Sequence, residues 1–223
     1  MYQIAIDGTS GSGKSSFAKG LAKATGFYHL NTGDIYRALA CAFKEFTSEE
    51  PNEDNIAAFI DNIKIEVDYS SGKQVVFIND KDYTPFLRLE ETSSFSSKIS
   101  PFKNLRAKVL IVQREFAEKN NVVMEGRDIG TTILPNAQVK IFLTARPEVR
   151  AERRYKELSP EDKAQTSYEE VLADLQERDY RDSHRTVAPL KPAQDSIMLD
   201  NSDLNLAQTI EAGIKIVKER IKI

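Results

Sequence analysis

QIAIDGTSGSGKSSFAKGLAKAT, residues 3–25, is the stretch on which the reading of this chain turns. The opening YQIAI is a short β-branched run that stops at Asp7. A glycine-rich segment follows, and then Phe17, Leu21 and Ala24 fall on one face of a helical pattern. Strand, loop and helix thus succeed one another without a break. Gly8, Thr9, Ser10, Gly11, Ser12, Gly13, Lys14 and Ser15 fit G-x-x-x-x-G-K-[ST], with Ser16 as a second hydroxyl. At average residue frequencies a chain of this length matches that pattern by chance about once in a hundred sequences. The chemistry accounts for the residue types. Glycines let consecutive backbone N–H groups turn inward around phosphate oxygens, and the helix N-terminus adds its dipole. Lys14 would reach the β- and γ-phosphates of a nucleoside triphosphate, and the Ser15 hydroxyl would help hold Mg²⁺. An ordinary glycine turn capping a helix leaves Lys14 and Ser15 together unexplained.

Working outward, Gly26 ends the first helix, FYHL reads as a second strand, and Asn31 or Thr32 caps a helix bearing Ile35, Leu39, Ala42, Phe43 and Phe46 at spacings of three and four. From Pro51 the pattern changes. A helix over about 52–62 precedes IKIEVDYSSGKQVVFIND, which reads as two alternating strands joined at SSGK, with a further extended piece at 81–84. Helices follow at about 86–99 and 102–120, separated by Pro101. VVME (122–125) and VKIFLTA (139–145) are apolar runs expected of strands covered on both faces. Helices at 147–158 and 167–182, a strand SIML (196–199) and a last helix striped by Leu206, Ile210, Ile214, Val217 and Ile221 complete the chain. The alternation predicts an α/β fold: one P-loop domain over 1–223, three layers α/β/α around a mainly parallel sheet, with an antiparallel hairpin inserted at about 63–84.

With 223 residues, one domain plus an insertion is the natural expectation. Thirty-one basic and 34 acidic residues give a net charge of −3, which excludes a broadly basic protein that coats nucleic acid but leaves room for a local anion site. Cys41 has no partner cysteine, and His29 and His184 lack ligand-spaced neighbours, so no disulfide or zinc site is expected. No apolar run reaches 18 residues and MYQIAIDG lacks signal-peptide character, so the expected setting is the cytoplasm, with neither membrane nor nucleic acid as partner.

The positive charge is uneven. Of 13 arginines, eight lie between positions 127 and 185. Arg150, Arg153 and Arg154 are spaced for one helix face. Tyr168, Val171, Leu172 and Leu175 form a buried stripe whose continuation by threes and fours reaches Arg178, Asp182 and Arg185, which places those charges on the inward face. Between the two arginine groups, KELSPEDKAQTS reads as a polar flap of the kind that closes over phosphates and excludes water. VVMEGRDIGT puts Glu125 at the end of a buried strand, suited to support Mg²⁺ directly or through water, and brings Arg127 and Asp128 to the carboxyl edge of the sheet.

Together IDGTSGSGKSS, LNTGDIYRALA, the hairpin region, SSKISPFKNLR, EGRDIGT, VKIFLTARPEVRAERR and ERDYRDSHRTVAPL resemble the bacterial cytidylate kinase family, among the nucleoside monophosphate kinases. The resemblance covers nearly the whole chain. It implies a P-loop core, a monophosphate-binding region over 32–106, a lid with its flanking helices over 150–185, ATP as donor with Mg²⁺, CMP and dCMP as acceptors, and a monomer. By motif, Gly8 to Ser16 would bind the ATP phosphates. Thr32, Tyr36, Arg37, Arg127 and Arg185 would surround the CMP phosphate, Ser97, Arg106 and Asp128 would read the cytosine edge, and Arg178 and Asp182 would hold the sugar. Arg153, Arg154 and Arg181 resemble the lid arginines that contact the transferring phosphoryl group. Thr9, Thr32 and Glu125 stand where proline, serine and aspartate are common in the family, and Ser15 and Ser16 replace a pair that varies among kinases, which leaves either hydroxyl open as the metal ligand. The chain carries no N-K-x-D or D-x-x-G segment of a GTP-binding switch.

Overall fold

β1 (Gln3–Gly8) leads into α1 (Lys14–Thr25), β2 (Tyr28–Asn31) and α2 (Thr32–Phe46) in the computed structural model, which describes residues 1–222, Glu90 by its backbone alone. Next come α3 (Glu53–Asp61), β3 (Ile65–Asp68), β4 (Val75–Ile78) and the two-residue β5 (Lys81–Asp82), then α4 (Glu90–Ile99) and α5 (Lys103–Lys119). The last part runs β6 (Val122–Glu125), β7 (Val139–Thr144), α6 (Pro147–Glu157), α7 (Pro160–Gln165), α8 (Tyr168–His184), β8 (Ile197–Asp200) and α9 (Leu206–Arg220).

Five strands form a sheet in the order β2-β6-β1-β7-β8. β1 runs parallel to both β6 and β7, and β8 runs parallel to β7. The central strands are buried along almost their whole length, which is why VVME and VKIFLT are continuous apolar runs and not alternating ones. The hairpin forms a separate antiparallel sheet, β3-β4-β5.

Contacts divide the chain into two units, Leu30–Asn120 with Met1, and Tyr2–His29 with the chain from Asn121 onward. In the first, α2 buries Ile35, Ala38, Leu39, Ala42 and Phe43 in a core completed by Phe59, Val76, Ile78, Ile99, Leu105 and Val109. In the second, Ile4, Ile6, Val123, Ile141 and Leu143 of the sheet pack with Phe17 and Leu21 of α1 and Val217 of α9. A smaller cluster, Ala151, Val171 and Leu175, joins α6 to α8.

Three local expectations are corrected. The helix expected over 86–99 begins only at Glu90. Pro85 opens a short 3-10 turn over Thr84–Phe86, and Leu89 is extended just before α4. The extended piece expected over 81–84 ends at Asp82, whose side chain accepts the Thr84 N–H at 2.7 Å and turns the chain. The polar flap contains a helix of its own, α7, because Ser159 caps it by accepting the Asp162 N–H and Pro160 supplies a preset first turn. Among the described residues no helix is long and apolar enough to cross a membrane.

Candidate active site

The loop between β1 and α1 delivers Lys14 to the first helical turn, where the residue is 7% exposed. Its Nζ donates to the Thr9 carbonyl at 2.5 Å and lies 3.4 Å from Ser12 Oγ, both uncharged acceptors. Burial, with Arg127 and Arg178 adding repulsion, holds the Lys14 ammonium well below the ordinary lysine range, and Glu125 and Asp182 only partly oppose this. An anion placed here would relieve that strain. The two residues expected at a metal do meet: Ser15 Oγ donates to Glu125 Oε2 at 2.9 Å. A hydroxyl and a carboxylate are hard oxygen donors of the kind that hold Mg²⁺ beside substrate phosphates, so the pair fits that ion. The other oxygen of Glu125 lies 3.0 Å from His29 Nε2, a contact no sequence spacing announced.

Asp7 ends β1 with its side chain buried, and its two oxygens accept the N–H groups of Ile129 and Gly130 at 2.7 and 2.8 Å. It thereby fixes the start of a single π-helical turn, Ile129–Ile133, directly after Arg127 and Asp128. Burial outweighs those two hydrogen bonds and pushes the Asp7 carboxyl up to about 6. Between about pH 4 and 6, therefore, the folded protein keeps a proton that the unfolded chain has released. Stability contributed by this group falls as pH rises through that window, by about 3 kcal/mol in all at 1.36 kcal/mol per unit. Asp7→Asn is expected to flatten the pH dependence of unfolding free energy between pH 4 and 6, measured by urea denaturation. Unchanged slopes would mean that Asp7 is ionised throughout.

Beyond the turn, Arg127 Nε donates to Asp182 Oδ2 at 2.7 Å, and Arg185 Nη2 lies 3.5 Å from Asp128 Oδ1. Burial raises the Asp182 carboxyl, but Arg127, Arg178 and Arg185 outweigh it and hold the group below the usual aspartate range. The stripe predicted along α8 is thus realised: Val171 and Leu175 are buried, and Arg178 and Asp182 follow on the same half-buried face. Arg185 caps the helix in an extended conformation and donates to the Ala188 carbonyl at 2.6 Å.

The three arginines likened to lid residues are engaged elsewhere in this structure. Arg153 donates to the side chain and carbonyl of Asn201 at 3.1 and 2.8 Å. Arg154 and Arg181 are exposed and face Glu157 and Glu177 of their own helices. Arg150, which sequence spacing grouped with them, is instead buried inside the fold. Its guanidinium donates to the carbonyls of Ala145 and Ser10 and to Asp179 Oδ2 at 2.9, 2.8 and 2.6 Å, while Asp179 Oδ1 accepts the Ser10 N–H at 3.1 Å. The Ser10 peptide is therefore gripped from both sides by α6 and α8. His184, exposed, stacks on Tyr180 with centroids 4.0 Å apart.

The remaining expected residues lie in the first unit. Thr32 is buried at the start of α2. Arg37 pairs with Asp34 one turn before it, and its guanidinium lies over Gly33. The Arg106 guanidinium stands 6.0 Å from the Tyr36 ring centroid and donates to the Ser100 carbonyl at 3.4 Å. Ser97 Oγ donates to the Ser93 carbonyl at 3.3 Å.

The family model for cytidylate kinase matches residues 4–219. Curated relatives include the cytidylate kinase of Thermotoga neapolitana, 43% identical over 99% of this chain and 99% of the relative. That of Halalkalibacterium halodurans is 40% identical over 98% of each. Among solved structures, shikimate kinase from Bacteroides thetaiotaomicron superposes with a TM-score of 0.52 at 12% identity, covering 97% of this chain and 98% of that one, a likeness of fold alone.

Proposed function

Because the chain belongs to the cytidylate kinase family, we propose that it transfers the γ-phosphoryl group of ATP to CMP, giving ADP and CDP, and that dCMP is a second acceptor. The observation that carries this reading is Lys14, a buried side chain at the first residue of α1 that Arg127 and Arg178 repel and whose hydrogen-bond acceptors are neutral, directly after the loop where a triphosphate would bind. A phosphate monoester is already anionic near neutral pH, so its oxygen needs no dedicated general base to attack the γ-phosphorus. The work left to the protein is positioning and spreading charge. Lys14 and the backbone N–H groups of Gly8 to Ser16 would grip the donor phosphates. Mg²⁺, which neutralises charge on the phosphates when bound, would be held by Ser15 and Glu125.

For the acceptor, Thr32, Tyr36, Arg37, Arg127 and Arg185 suit a phosphate, Ser97, Arg106 and Asp128 a cytosine edge, and Arg178 and Asp182 a ribose. Asp128 is in this reading a recognition group and not a base. Region 32–106 is assigned as the monophosphate-binding part, and 150–185 as the lid with its flanking helices. Arg153, Arg154 and Arg181 are assigned to the transferring phosphoryl group, which requires them to leave their present partners. A cytoplasmic setting suits a chain whose one cysteine is free.

An acceptor panel tests the reading. With saturating ATP, CMP is expected to give CDP with kcat/KM at least about tenfold above UMP and AMP, because a site that hydrogen-bonds one base leaves buried polar groups unpaired with another. No CDP at saturating CMP would eliminate the assignment.

A further inference from the structure

Asn31, the N-cap of α2, receives no cap from its own side chain. Its backbone is instead held by one distant residue. Gln74, at the foot of the inserted hairpin just before β4, accepts the Asn31 N–H on Oε1 at 2.7 Å and donates from Nε2 to the Asn31 carbonyl at 3.0 Å. The amide group thus makes the pair of bonds that a neighbouring strand would make. β2 is the edge strand of its sheet, so its last residue needs partners of this kind for its outward backbone groups. The amide is itself oriented: Tyr69 Oη donates to Gln74 Oε1 at 3.2 Å, and the Tyr69 ring packs on Phe116 of α5 with centroids 5.3 Å apart.

From these contacts we infer that Gln74 is a positioning residue for the acceptor-phosphate subsite. Its two bonds fix the peptide from which Thr32 and Gly33 follow, and so the direction in which the first two turns of α2 present Thr32 and Arg37. The inserted hairpin thereby sets the entry geometry of the helix that grips the monophosphate. Gln74 touches no substrate in this role. The inference rests on the proposal that the start of α2 binds the acceptor phosphate.

Two variants separate the hydrogen bonds from packing. Gln74→Met keeps the length and volume but neither accepts nor donates. Gln74→Glu keeps the acceptor for the Asn31 N–H and turns the donor into a second oxygen facing the Asn31 carbonyl. Steady-state kinetics on the full chain should show KM for CMP raised about tenfold in Gln74→Met and at least as much in Gln74→Glu, whose second oxygen repels the Asn31 carbonyl, with KM for ATP changed less than about twofold. Faster amide exchange at Asn31 in Gln74→Met should accompany the change. A parallel rise in both KM values, or a lowered melting temperature with KM for CMP unchanged, would overturn the inference. Arg37→Met serves as the control for the subsite. If that variant loses CMP affinity while both Gln74 variants keep it, the positioning role alone fails. If Arg37→Met leaves KM for CMP unchanged, the subsite reading fails and this inference falls with it.

Discussion

Lys14→Met is expected to lower kcat about a thousandfold while melting no lower than the parent protein. Both halves of that result come from one geometry. In this fold the ammonium is desolvated, its nearest acceptors are neutral, and Arg127 and Arg178 repel it. An apolar side chain of similar length removes that cost, as replacing a poorly compensated buried charge by a well-packed apolar group often does. In the proposed function the same ammonium stabilises charge on the transferring phosphoryl oxygens, so its loss should fall on turnover. CDP formation and calorimetry on the same preparation check both halves. Turnover kept within about tenfold would remove Lys14 from the mechanism, and a clearly lowered melting temperature would show that its charge stabilises the fold.

Gly8→Ala is expected to cost about 3 kcal/mol or more of stability, although it adds a single methyl group. Gly8 is paired in register with Leu143 across β1 and β7, and a Cβ at Gly8 would lie 1.9 Å from the Leu143 carbonyl oxygen. That neighbour is backbone in the centre of the sheet, so relief means parting two strands at the point where the phosphate-binding loop begins. Gly26→Ala provides the contrast. Its φ of 72° lies in the left-handed well that an L-residue can enter, whereas Gly8 at φ 150° lies where glycine alone is at ease, and nothing lies within 4 Å of the carbon added at Gly26. About 1 kcal/mol is expected there, from the left-handed backbone alone. Urea denaturation of the two variants measures the difference, and equal losses would show that neither strand crowding nor the Gly8 backbone conformation adds to the cost.

The legible parts of the site share a property. From Gly8 to Ser15 the chemistry is written in consecutive residues, because a loop that wraps phosphate with its own backbone needs only local sequence. The arginine stripe on α8 is readable for a related reason: helical periodicity carries Val171 and Leu175 forward to Arg178 and Asp182 on one face. Arg150 shows where periodicity stops. Spacing places it with Arg153 and Arg154, but its guanidinium bonds to Ser10, 140 positions away, and to Asp179. The start of α4 escapes an apolar count because Pro85 and Asp82 organise a turn that such a count does not register.

By itself the sequence determined the main order of strands and helices, the parallel core and the glycine-rich loop between β1 and α1, since each follows from local periodicity and from what glycine, lysine and serine do side by side. Only the tertiary structure decided what holds that loop and its neighbours in place. Asp7 is bonded to Ile129 and Gly130, Arg150 and Asp179 grip Ser10, and Gln74 pins Asn31. Each of these is a polar side chain satisfied by backbone groups far away in the chain. No pattern in sequence specifies such a pairing, because the burial that makes it necessary exists only once the chain has folded.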